Sequence, residues 1–197
     1  MEAKLNEQTV STQIVSNARA GEAATATRAA VAASDRMGAL DVLRLLLLGI
    51  WLGAAIFFSF AVAPSAFAVL PARELAGAIV TRTIGIVNVG GTLVGLLLLA
   101  TAFAGRAGSA AKRARTLEIV ALALVVLATG IGHWVISAWM AGLRLSMGRP
   151  IDEVAQNDPL RLAFNNLHGY SVAAMTTAML ASLVAFILIA RRNRRNA

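Results

Sequence analysis

The sequence predicts an all-α fold, a polytopic membrane four-helix bundle, and three observations carry that prediction. Of 197 residues, 58% are hydrophobic and only 14% charged, against about half and a quarter in ordinary soluble domains. The mean hydropathy is +0.71. Four stretches contain no Asp, Glu, Lys or Arg: Leu45 to Ala72, Thr83 to Gly105, Ile119 to Leu143 and Leu162 to Ala190. Each exceeds the ~20 residues a helix needs to cross ~30 Å of hydrocarbon. Backbone hydrogen bonds in lipid must be satisfied inside each segment, which leaves helices.

Residues 1–38 are polar and rich in Ala, Thr and Ser, with acids and bases interspersed; they are expected to be a flexible cytoplasmic N-terminal extension. The first apolar run comes too late and is too long for a secretory signal. The four-helix transmembrane domain is expected over 39–191. Its first helix, at about 42–70, contains Pro64 and stops at Pro71, because a proline removes a ladder donor and restricts its predecessor. Helix two follows at about 74–104 and helix three at about 116–141. Asp158-Pro159 is a helix-start signature, with a capping carboxylate before a proline of fixed φ; it places helix four at about 159–190. The polar stretch from Ser146 to Asn157 is expected as a loop with one short interfacial turn. Residues 192–197 form a basic tail.

Orientation follows from arginine and lysine near the helix ends. The N-terminal flank, the middle loop and the tail carry Arg28, Arg36, Arg44, Arg106, Lys112, Arg113, Arg115, Arg191, Arg192, Arg194 and Arg195, whereas the other side carries Arg73, Arg82, Arg144, Arg149 and Arg161. Both termini are therefore expected in the cytoplasm. The net charge of +8 reads as topology and contact with anionic lipid, not as nucleic-acid binding. The excess of arginine over lysine suggests a bacterial source, hence an inner membrane.

Polar side chains inside spans mark packing or function. On helix two, Thr81, Gly85, Asn88, Thr92 and Gly95 share one face at spacings of three and four, expected to turn into the bundle. Gly49 and Gly53, flanking Trp51, make a GxxxG expected to allow close packing. Helix three carries Thr129, His133, Ser137 and Met140 on one stripe; helix four carries Asn165, His168, Val172, Met175 and Met179. Running in opposite directions, the two helices bring His133 and His168 to similar depths in the outer half. His133, Ser137, Asn165, His168 and Ser171, with Arg82, form the candidate solute or metal site.

Two imidazoles facing one another can ligate haem iron or a metal, and Met140 and Met175 offer thioethers that suit copper(I). Against this stand interhelical hydrogen bonding and plain packing, the first reading for these residues, and a proton or substrate pathway. Arg82 either snorkels to the interface or holds an anionic group. Glu118 is expected to cap its helix or to pair with Arg115 or a lipid amine. There is no Cys, so disulfides, thiolate sites and cysteine nucleophiles are excluded. Nor is there a Ser-His-Asp arrangement or phosphate loop, so a non-enzymatic protein is expected. Expected partners are the lipid bilayer and further membrane subunits, identical or not.

The run from Gly49 through Trp51 and Gly53 to Pro64, then Leu75-Ala76-Gly77, then Leu167-His168-Gly169-Tyr170-Ser171 resembles the transmembrane protein 205-like domain family, long catalogued as a domain of unknown function. The similarity covers roughly residues 40–190. It implies a small four-helix membrane protein without a catalytic motif. A eukaryotic member's link to tolerance of platinum drugs implies handling of metal-like cargo, and the family is distantly similar to copper-resistance and haem-handling four-helix membrane proteins.

Overall fold

The computed structural model describes residues 39–104 and 112–196, together with isolated positions 19, 21, 24, 25, 27 and 28. It divides into two compact units, Met1–Leu43 and Arg44–Ala197. Most of the N-terminal extension, the middle loop carrying Arg106, and the side chains of Arg194 and Arg195 lie outside the described residues.

Four helices are long and apolar enough to cross a membrane, and no strand occurs among the described residues. They are α1 (Ala39–Val69), α2 (Arg73–Ala104), α3 (Lys112–Met147) and α4 (Pro159–Asn196). Their outward faces are apolar well away from the ends: Ile50, Phe60, Ile86, Leu127 and Leu180 are all exposed. A water-facing surface of that kind would be a large apolar patch; against lipid it is the ordinary surface of a spanning helix. The chain is a multi-pass membrane protein.

Each helix end has a local cause. Leu70 precedes Pro71 and leaves the helix in an extended conformation, as a following proline requires. α3 runs on to Met147, past the boundary near 141 expected from the sequence, and stops where Gly148 takes φ 63°, the left-handed conformation that favours glycine. A short 3-10 turn, Ile151–Glu153, is the interfacial turn expected of the loop. The Asp158 carboxylate accepts the Leu160 N–H at 2.8 Å, so Asp158-Pro159 opens α4 as predicted. At its far end α4 continues through the basic run to Asn196, and the expected tail is part of the helix.

Two of the helices contain a wide π-turn. In α1 it spans Phe58–Val62, immediately before Pro64, whose ring would collide with the Phe60 carbonyl in a regular helix. In α3 it spans Ile131–Ile136 and contains no proline. There the Ser137 N–H and hydroxyl both reach the Gly132 carbonyl, the latter at 2.8 Å.

The core has three levels. The middle is built from Trp51, Ala55, Phe58, Val87, Val125, Met175, Ala178 and Ala181. Below it, Leu48, Leu98, Leu122 and Ile189 close around Ala121 and Ala185. At the other end Met147, Val154 and Phe164 pack with Met140, Leu143, Ile151 and Leu160. The alanines let backbones approach, which matters because lipid offers no hydrophobic drive for helix association.

Glycine permits a close contact at the centre. A Cβ on Gly91 would stand 2.7 Å from Thr129 Cγ2 and 2.7 Å from the Trp51 ring, whereas one on Gly90 would stand 3.7 Å from Trp51. Gly91→Ala is expected to cost about 1–3 kcal/mol and Gly90→Ala under about 0.5 kcal/mol. Detergent unfolding of the two variants side by side checks this.

Candidate functional site

The polar stripe of α2 meets α3 in a continuous seam. From one end to the other, a Cβ on Gly95 would stand 2.6 Å from Val126 Cγ2, Gly91 faces Thr129, the Asn88 carboxamide stands over Gly132, and Gly85 lies against the His133 ring. Asn88 and Thr92 are buried, while Thr81 is exposed. The expected stripe thus turns into the bundle over Gly85 to Gly95.

Hydrogen bonds cross the seam at its centre. Thr92 Oγ1 and Thr129 Oγ1 lie 2.9 Å apart. Each hydroxyl also reaches a carbonyl on its own helix, Asn88 O at 3.1 Å and Val125 O at 2.7 Å. Whichever hydroxyl donates across, the other donates along its own helix, so neither proton is wasted. Trp51 adds a third helix: its Nε1–H donates to Val87 O at 2.8 Å.

His133 closes the seam. Its ring sits edge-on to Trp134, 4.8 Å between centroids at 89°. Nδ1 is buried and has no hydrogen-bond partner. A Cβ on Gly85 would lie 3.6–3.7 Å from the Cε1–Nδ1 edge, which is van der Waals contact, so the missing side chain leaves room there for about one methyl group. The seam therefore offers an imidazole nitrogen, with a carboxamide about one turn away on α2.

The remaining predicted residues go elsewhere. Arg82 is exposed on α2, and Asn165 and His168 are exposed on α4. Ser171 is half-buried, and the Ser137 hydroxyl is used by Gly132 O. Met140 packs in the end cluster, whereas Met175 and Met179 belong to the central core. Gly49 approaches Phe186, where a Cβ would stand 3.4 Å away, but Gly53 is exposed with nothing within 4 Å; the GxxxG packs through its first glycine alone within this bundle. Among the described residues no three His, Cys, Asp or Glu side chains converge as a metal-holding group.

A charged cluster closes the opposite end of the bundle from the α3–α4 connection. Glu118, 2% exposed, accepts from Arg44 through Oε1 and from Arg192 Nη1 through Oε2 at 2.9 Å. Arg44 also donates to Leu98 O at 3.4 Å. Arg115 does not pair with Glu118 as expected from its sequence neighbourhood. It donates to Ala102 O at 3.1 and 2.8 Å and to Phe103 O at 3.0 Å, satisfying carbonyls that the end of α2 leaves open. Sequence reading missed Arg44 as Glu118's partner because the two are far apart in the chain; the only signal was that Arg44 directly abuts the first apolar run.

A family model described as a domain of unknown function, DUF4149, matches residues 46–149. The match contains Trp51, Asn88, Thr92, Thr129 and His133, and ends before Asn165, His168 and Ser171. No curated protein and no solved structure matches the chain.

Proposed function

We propose that this chain, which belongs to the DUF4149 family of unknown function, is a non-enzymatic multi-pass membrane protein that takes a small solute or metal ion into the seam between α2 and α3, with His133 as the recognising group. The observation that carries the reading is the buried, unpartnered Nδ1 of His133. An unmet buried polar group costs about 1–3 kcal/mol, and polar groups in spanning segments mark ligand or ion pathways by default. The Asn88 amide above Gly132 supplies a second polar group at the same level. The resemblance to the transmembrane protein 205-like family, one eukaryotic member of which is linked to tolerance of platinum drugs, is in line with this reading. With both termini in the cytoplasm of a bacterial cell, His133 stands in the half of the bundle facing away from it.

The haem reading would need His133 and His168 as two axial ligands, and the exposed position of His168 on α4 does not favour it.

The test uses the protein in maltoside detergent and in liposomes. Copper(I) and zinc(II) serve as binding probes, with elemental analysis and visible absorption as readouts; urea and glycerol serve as permeation probes in stopped-flow shrinkage. Expected is one-to-one metal binding or solute permeation that falls at least tenfold in His133→Ala and persists in His168→Ala. A wild-type protein inert to all four probes, or equal loss in both variants, overturns the reading.

A further inference from the structure

A second site lies at the α3–α4 connection end, where α2, α3 and α4 converge on Arg144. Its Nη1 lies 3.3 Å from Thr81 Oγ1, and Nη2 would lie 3.7 Å from a Cβ on Gly77. The guanidinium carbon stands 5.0 Å over the Phe164 ring, itself 8% exposed. Three helices thus contribute to the seat of one cation at the exposed edge of the bundle. The Phe164 ring within cation–π range and the missing side chain on Gly77 make room for the guanidinium there.

The cation so held is paired with no carboxylate among the described residues. Of the acids at this end of the bundle, Asp152 pairs with Arg73 at 3.3 Å and Asp158 caps the first turn of α4, while Glu74 and Glu153 make no ion pair with Arg144. Arg161 turns back to the Val154 carbonyl and is likewise committed. Arg82 follows Thr81 directly and is exposed, adding a second positive charge at the same level of α2.

With α2 centred in a bilayer, that level falls just inside the edge of the hydrocarbon. Thr81 lies about 12 Å along α2 from Arg73 at 1.5 Å per residue. A helix of 31 residues is about 46 Å long and overshoots ~30 Å of hydrocarbon by about 8 Å at each end. Arg144 therefore presents its remaining N–H donors within about one helical turn of the headgroup boundary. A guanidinium fork matches the oxygens of a phosphate in geometry and charge.

We propose that Arg144, seated by Thr81, Gly77 and Phe164, is a binding site for a phosphate group, supplied by a phospholipid of the surrounding leaflet. This site is independent of the His133 seam.

Native mass spectrometry in maltoside detergent tests it, with dioleoylphosphatidylglycerol as the probe, dioleoylglycerol as the same chains without phosphate, and inorganic phosphate as competitor. Expected is phosphatidylglycerol binding that weakens about fivefold or more in Arg144→Gln, is partly kept in Arg144→Lys, and is absent for dioleoylglycerol. Failure of millimolar inorganic phosphate to compete identifies the lipid as the source; full competition shows the same phosphate chemistry met by the free anion and overturns the lipid assignment. Unchanged affinity in Arg144→Gln, or equal binding of dioleoylglycerol, overturns the site. Should Arg144→Gln not fold, Thr81→Val removes only the hydroxyl that seats the guanidinium; about threefold weaker binding is expected, and unchanged binding again overturns the proposal.

Discussion

Replacing Glu118 by Ala is expected to destabilise the bundle by about 3–5 kcal/mol, the usual cost of breaking a buried ion pair from one side. The carboxylate is 2% exposed and Arg44 5% exposed, so the substitution removes the carboxylate from a guanidinium that water reaches poorly. Arg192, with 35% of its side chain exposed, can turn to solvent and suffers less. This asymmetry sets the control. Arg192→Ala should cost only a fraction of the Glu118→Ala loss, and the double variant Glu118→Leu with Arg44→Met should recover most of it, because a buried pair replaced by apolar groups of similar size is often neutral. Unfolding in mixed detergent followed by far-ultraviolet circular dichroism gives the values. Equal losses in Arg192→Ala and Glu118→Ala would show that the cluster is not governed by the desolvation of Arg44.

Trp51→Ala is the second large effect, also about 3–5 kcal/mol. The ring is 5% exposed and fills the space that Gly91 leaves open, so its removal empties the middle of the bundle where α1, α2 and α3 meet. The indole N–H to Val87 O at 2.8 Å contributes a smaller share, about 0.6 kcal/mol by the average for interhelical hydrogen bonds in membranes. Trp51→Phe keeps most of the packing and loses that bond, so it should fall well short of the alanine variant. A Trp51→Phe loss as large as that of Trp51→Ala would show that the hydrogen bond, not the ring volume, holds the centre.

The four spans, the proline stop at Pro71 and the Asp158-Pro159 start were legible because each depends on local composition or on one residue's covalent geometry. The α2 stripe from Gly85 to Gly95 was legible for a similar reason: small and polar residues at helical spacing have only one low-cost place to go. The candidate site was legible in part. His133 was singled out, and its ring proved to lie against Gly85, with Asn88 over the adjacent Gly132; the sequence suggested both for packing. His168 and Asn165 were grouped with it on depth alone, and depth does not fix azimuth. The π-turn at Ile131–Ile136 adds to this, because a wide turn offsets the faces on either side of it and a helical wheel drawn through Thr129, His133 and Ser137 assumes none. Glu118 illustrates the other limit. Its partners Arg44 and Arg192 lie on different helices, and nothing local distinguishes them from other flanking arginines.

The membership of that charged cluster also ties three distant stretches of the chain together. Glu118 enters the membrane with α3, one of its cations with α1, and the other with the far end of α4. With α1 and α3 alone the carboxylate already has Arg44 as its counter-charge. Arg192 adds the second donor, so the docking of α4 completes the hydrogen bonding of a buried group and closes this end of the bundle in one step.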